Sequence, residues 1–288
     1  MYACDRFNSM GEFVAYLREQ QKPNPDVEAI TRTTDPNFHG EGGTWDATLN
    51  WAERGDNRNL DKFADLTRQA QAKIARHVEK RFAPSFARSG AGSISMGRYM
   101  DGVPDCIVRM KPGRDQLRKG GNHERVIKIF VSCSCSGDIC GSEIEERGAY
   151  ICGIVEALAA AGRKVELWVG GWAMNSSQSA ALPMMMTCIK RAQDRLHVET
   201  ARFALCNPAF NRRLRFGYIE FNAKALRKHF ASVESKTLPA SWSAPSMDKE
   251  MAREFSIIIP GMASQDSPFA SYHIAKIEER LKTAGILH

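Results

Sequence analysis

The stretch from Val126 to Gly170 constrains the fold of this chain more than any other. It opens with the apolar, β-branched run Arg125-Val-Ile-Lys-Ile-Phe-Val131 and continues through the loop Ser-Cys-Ser-Cys-Ser-Gly-Asp138. A helical pattern then runs from about Ser142 to Ala161, followed by Lys164-Val-Glu-Leu-Trp-Val169. The unit reads strand, loop, helix, strand. Two strands joined by so long a connection pair in parallel, and a parallel sheet has to be covered by helices. The expected class is therefore α/β, with a sheet flanked by helices.

With 288 residues the chain can bury a large core, and 43% hydrophobic with 25% charged residues is the balance of a globular protein. The start from Met1 to Gly11 carries Asp5, Arg6 and Asn8, which is not the apolar pattern of a secretory leader. The longest apolar stretch, Ala149 to Gly162, contains Glu156 and falls short of the ~20 residues a bilayer span requires. A cytoplasmic protein without membrane contact is expected. The eight cysteines show no repeated spacing, so they are expected to be reduced thiols.

Ser9-Met-Gly-Glu12 has capping-box spacing and predicts a helix over 9–20, with Phe13, Val14 and Leu17 on its apolar face. Thr44 is placed to cap a second helix, which Gly55 ends. Leu60, Phe63, Leu66, Ala70, Ile74, Val78 and Phe82 recur at three- and four-residue steps and predict one long helix. Gly and Ser then dominate up to Pro104. The expected division is a helical amino-terminal region with a Gly/Ser-rich connector at 1–103, and an α/β domain at 104–288. Within the latter, 105–110 reads as a strand and the segment around 184–190 as a strand returning antiparallel beside the one before it. Asn207-Pro208 marks a helix start, Phe255–Ile259 reads as a buried strand, and Ile274, Ile277 and Leu281 line a last helix ending at Gly285.

Most catalytic signatures are missing. No Gly-Lys-Ser/Thr tripeptide opens a helix, and the loop after Val131 offers only Gly137 and Gly141, too few for a dinucleotide fingerprint. Cys133, Cys135 and Cys140 with His123 lack the paired spacing of a zinc site. No Gly-x-Ser-x-Gly elbow surrounds Ser132, Ser134 or Ser136, and no base among His123, His197, His229 and His273 is tied to a nucleophile by spacing. Asp138, Glu143, Glu145 and Glu146 suit the first turns of a helix, where acids favour the macrodipole. No cofactor and no catalytic residue is expected.

The order strand, helix, strand, antiparallel strand, helices, strand, helix resembles the von Willebrand factor A domain, whose ligand site lies at the carboxyl ends of its strands. In that family the first strand ends in Asp-x-Ser-x-Ser and holds a divalent cation. Here the matching residues are Ser132-Cys133-Ser134-Cys135-Ser136, without the leading Asp, and the later strand ends Ile259-Pro260-Gly261 where the family often has Asp-Gly. The resemblance therefore implies a degenerate metal-site loop of Ser132, Ser134, Ser136 and Asp138, the last being the one acid close by. The chain also resembles an uncharacterised group of bacteriophage proteins, through Gly42-Gly-Thr-Trp-Asp-Ala47 with Ala52-Glu-Arg-Gly55, Arg147-Gly-Ala149, and Asn207-Pro-Ala-Phe-Asn-Arg-Arg213.

Charge is concentrated in one place. Residues 201–230 carry seven basic residues against one acid, in a chain of net charge +7. Such a segment is ordinarily a solvated helix face, yet it is also able to meet phosphates through Arg212, Arg213, Arg215, Lys224 and Arg227. The expected function is a non-catalytic bacteriophage binding protein with a host or phage protein, DNA or RNA as partner. The rival expectation is a nuclease or other hydrolase acting on nucleic acid. Because Mg²⁺ and Ca²⁺ want carboxylate oxygens, titration calorimetry with Mg²⁺, Mn²⁺ and Ca²⁺ should show nothing tighter than about millimolar. Saturable micromolar binding that disappears in Asp138→Ala or Ser134→Ala would reverse that expectation.

Overall fold

The computed structural model describes residues 5–20, 44–78, 82–89, 93–112, 126–135, 139–174, 181–222, 251–262 and 270–287. In chain order the elements are β1 (Asp5–Phe7), α1 (Met10–Glu19), α2 (Trp45–Arg54), α3 (Leu60–Ala75), β2 (Phe82–Ala87), β3 (Ser93–Ile94), α4 (Met96–Met100) and β4 (Ile107–Pro112). Then come β5 (Ile127–Ser132), α5 (Gly141–Ala160), β6 (Val165–Met174), β7 (Ala181–Lys190), α6 (Val198–Cys206), a π-helical stretch (Phe210–Arg215), α7 (Phe216–Phe221), β8 (Ile257–Ile259) and α8 (Ala270–Thr283).

The main sheet is mixed, in the order β1-β7-β6-β5-β8. As the βαβ pattern predicts, β5 and β6 are parallel neighbours, with Ile129 opposite Leu167 and Val131 opposite Val169. On its other side β5 pairs in parallel with β8, while β7 returns antiparallel beside β6. Pairing alternates cleanly with side-chain direction, as the two-residue strand period requires. Ile129, Val131, Val165, Leu167, Val169, Ile257 and Ile259 point into the large core beneath the helices. Phe130, Trp168, Met186, Cys188 and Ile258 point to the opposite face, where Met251 and Phe255 cover them.

The helix ends follow local chemistry. Ser9 Oγ accepts the N–H of Glu12 at 3.1 Å, and the Glu12 carboxylate accepts the N–H of Asn8. Thr44 Oγ1 accepts the N–H of Ala47, and α2 stops at Gly55 with φ 86°, a left-handed conformation that glycine takes without strain. The amino-terminal part of the chain contributes to the main sheet and core. β1 pairs in parallel with β7, and Phe13, Leu17, Leu49, Phe63 and Ile74 belong to the same buried cluster as β5 and α5.

Two expectations are corrected. The predicted long helix ends at Ala75, and Phe82, which continues its apolar stripe, instead opens β2. The stretch read as a connector holds β2, β3 and α4, and β2 and β3 pair antiparallel with β4 in a second sheet of three strands. Glycine, serine and Pro84 hide these strands from a propensity reading, and Pro84 is tolerated because β2 is an edge strand.

Helix α5 fills the space over β5 and lies close against α3. A Cβ on Gly153 would sit 2.8 Å from both the Gln71 nitrogen and the Thr67 oxygen, which are backbone atoms that cannot swing aside. Helix propensity alone favours alanine over glycine by about 1 kcal/mol, whereas overpacking a buried contact costs about 1–3 kcal/mol. Gly153→Ala should therefore lower the urea midpoint instead of raising it. A raised midpoint would show that the two helices are not in this contact.

Candidate functional site

The carboxyl ends of β5 and β8 adjoin at one side of the sheet, where the chain leaves β5 on one side for β6 and arrives later on the other side as β8, the last strand in the order. Crevices of this kind, outside the strand ends of an open sheet, are where ligands bind in α/β folds. The loop after β5 keeps the strand alternation for three more residues. Ser132 and Ser134 are buried and approach Gly261, whose added Cβ would lie 2.7 Å from the Ser134 carbonyl oxygen. That closeness lets Met262 N–H donate to Ser134 O at 2.8 Å. Ser134 Oγ is buried and has no hydrogen-bond partner among the described residues, and Ser132 Oγ accepts the Ser134 N–H at 3.4 Å. Ser136 and Asp138 lie outside the described residues. Among the described residues no three His, Cys, Asp or Glu side chains come together as a metal-ligand group.

Cys133 and Cys135 face a different neighbour, Asn211 of the π-helical stretch. Cys133 Sγ donates weakly to Asn211 Oδ1 at 3.9 Å, and Asn211 Nδ2 donates to Cys135 Sγ at 3.4 Å. Burial pushes the Cys133 thiol up to about 11, so at neutral pH it is a protonated thiol and a poor nucleophile. The same amide oxygen accepts from Arg215 Nη1 at 3.0 Å.

Arg147 is the charged centre of this edge. It projects from α5, is 4% exposed, and its Nη2 donates to Ser132 O at 3.2 Å and Pro260 O at 2.5 Å. One guanidinium thus ties together the ends of β5 and β8. Burial lowers its pKa to about 10, and no carboxylate among the described residues opposes the shift. Arg147, Cys133, Cys135, Asn211, Ile144 and Met262 line a cavity of about 10 Å³.

A network of ions holds α6 and the π-helical stretch over the edge. Asp56, 2% exposed, accepts from Arg58 and from Asn207 Nδ2 at 3.1 Å, and forms an ion pair with Arg202 Nη1 at 2.6 Å. Asn207 Oδ1 in turn accepts the N–H of Ala209, fixing the first turn after α6. Glu145 pairs with Lys62 at 2.7 Å and with Arg202 at 3.4 Å. Gly148 allows α5 to approach α6, since a Cβ there would lie 2.7 Å from the Leu205 oxygen. The short motifs at 147–149 and 207–213, far apart in sequence, therefore meet at this edge, and the motif at 52–55 is joined to them through Gly55 against Glu199 and the adjoining Asp56.

The basic segment is placed differently from the expected solvated or phosphate-facing helix. Arg212 and Arg213 are 1% exposed and Arg215 2%, so they are interior groups, with Arg212 Nη2 donating to Ile139 O at 3.0 Å. Lys224 and Arg227 lie outside the described residues. Position within a charge run says nothing about which way a helix is turned, and here the helix turns its guanidinium groups inward. The acids near the start of α5 have structural partners: Glu143 accepts the Cys140 N–H at 3.0 Å, and Glu145 serves Lys62 and Arg202. His197 caps α6 by accepting the N–H of Thr200. Sequence reasoning missed Asp56, Arg147, Asn207 and Asn211 as site residues. The available signal was Arg147 itself, the one cation of its helix, followed directly by the apolar run from Gly148 to Val155.

A family model described as a domain of unknown function (DUF7192) matches residues 2–288, and the chain belongs to that family. No curated protein and no solved structure matches it.

Asp56 supplies the test of the network. Burial alone would raise its carboxyl, but hydrogen bonds from Arg58 and the Arg202 and Arg58 charges outweigh burial and hold it below the ordinary 3.8. Its stabilisation is complete above the unfolded-state value and is lost as pH falls through the lower folded-state value. Asp56→Asn should cost about 3–5 kcal/mol at pH 7, because buried Arg202 loses its closest counter-ion. Urea denaturation from pH 7 to pH 3 should also show a shallower acid limb in the variant, and equal midpoints at pH 7 would dismiss the network as a stabilising device.

Proposed function

We propose that this DUF7192 member is a non-catalytic binding protein of bacteriophage origin, acting in the cytoplasm of an infected bacterial cell, with a protein partner held at the carboxyl edge of its sheet. The observation that carries this reading is the Arg147 cavity over the ends of β5 and β8, where a cation faces a small opening beside a protonated thiol and an amide. This constellation suits holding a ligand better than bond cleavage. The finer fold reading is a degenerate von Willebrand A-like domain. It draws support from β7 returning antiparallel beside β6, and from buried Ser132 and Ser134 at the matching loop. Phage origin rests on the short motifs, two of which meet at the same edge. The inward turn of Arg212, Arg213 and Arg215 favours a protein partner over an open phosphate track. No helix among the described residues is long and apolar enough to cross a membrane.

Site-specific photocrosslinking tests the face. A crosslinking residue in place of exposed Cys140, at the start of α5, should capture a discrete partner from infected-host lysate. The same residue at exposed Ala160, at the far end of α5, should not. Equal capture at both positions, or metal-dependent cleavage of DNA or RNA by the purified chain, would overturn the reading. Gel retardation of nucleic acid that falls steeply between ~50 and ~200 mM salt would move the partner to nucleic acid.

A further inference from the structure

We propose that Arg147 is an oxyanion receptor, whose cavity at the ends of β5 and β8 admits one oxygen of a carboxylate or phosphate group. The inference deepens the carboxyl-edge reading above and rests on it. A buried cation without a countercharge is costly, and structures normally supply a partner. Arg147 has none among the described residues. Its two hydrogen bonds, both from Nη2, go to neutral carbonyls, and the rest of the guanidinium fork has no acceptor among the described residues.

Two described acids at this edge, Asp56 and Glu145, are already engaged. Asp56 is held by Arg58, Arg202 and Asn207, while Glu145 is held by Lys62 and Arg202. The Cys133 thiol does not offset the charge, because burial keeps it protonated at neutral pH. Arg147 meanwhile stays a cation there, its pKa lowered only to about 10.

The cavity sets the size of what enters. About 10 Å³ is room for one oxygen-sized group, so the ligand inserts the tip of an oxyanion and leaves its remainder outside. Apolar walls from Val131, Ile144, Leu205 and Met262 lower the local dielectric and strengthen the contact. A fork whose Nε and Nη1 donors have no acceptor among the described residues is suited to carboxylate or phosphate oxygens.

Thermal unfolding at fixed pH 7 and fixed ionic strength, with chloride replaced by phosphate or by acetate, reads the site directly. Wild-type protein should gain about 5 °C at an anion concentration a hundredfold above Kd. The anion that acts at the lower concentration tells a phosphate receptor from a carboxylate receptor. Arg147→Met should abolish the gain. Should that variant fail to fold, Ala204→Val narrows the cavity while keeping the arginine, and it should lose the gain too. Calorimetric titration of the folded variants should show the same loss. No anion-specific gain in the wild type, or a gain that survives in the Ala204 variant, overturns the receptor. Photocapture at Cys140 without any anion response overturns this inference alone and leaves the ligand face standing, whereas an anion response without capture does the reverse.

Discussion

Strand β5 has parallel neighbours on both sides, and much of the structure follows from how the ends of those strands are closed. Carbonyls at a strand terminus have left the ladder and need donors, since buried peptide groups are almost always paired. Arg147 answers for β5 and β8 together, donating from one Nη2 to Ser132 O and Pro260 O. Only the crossover helix can deliver that side chain, because α5 begins just beyond the end of β5 and runs back across the sheet. Close packing of α5 depends on its small residues, with Gly148 against α6 and Gly153 against α3. A cation is thereby carried to the joined ends of β5 and β8 by the same helix that covers the core.

The polar layer above this edge is built to position. Asp56 reaches from the loop after α2 to Arg202 on α6 and Asn207 just after it, and Glu145 on α5 reaches the same Arg202. Buried ion pairs add little net stability over well-packed apolar groups, but breaking one leaves an expensive charge behind, so they fix a single arrangement. The arrangement fixed here sets the start of the π-helical stretch, which turns Asn211 towards Cys133 and Cys135 and brings Arg215 to the same amide. Wide helical turns of this type recur at functional sites, where they re-aim side chains. The edge thus combines an anchored floor, Ser132 to Cys135, with a roof held by charge.

How much of this was legible in the chain depends on the range of the interaction concerned. Alternating or β-branched runs and capping residues act within a few positions, so β5, α5, β6, the return of β7, and the ends of α1 and α2 were readable. Phe82 and Pro84 were misleading because the strand they belong to exists only through its pairing with β4, about twenty positions or more along the chain.

The sequence by itself determined the α/β class, the parallel crossover and the absence of acids from the Ser132–Ser136 loop, because each is a matter of residue type and local period. Tertiary structure alone decided which way the charges face. Arg212, Arg213 and Arg215 look like a solvated basic face until the packing of α6 and the π-helical stretch turns them inward. Arg147 looks like one cation on a helix until β8 arrives from more than a hundred residues away to share its fork. Burial, counter-ions and cavity shape depend on segments distant in sequence, and no local pattern encodes them.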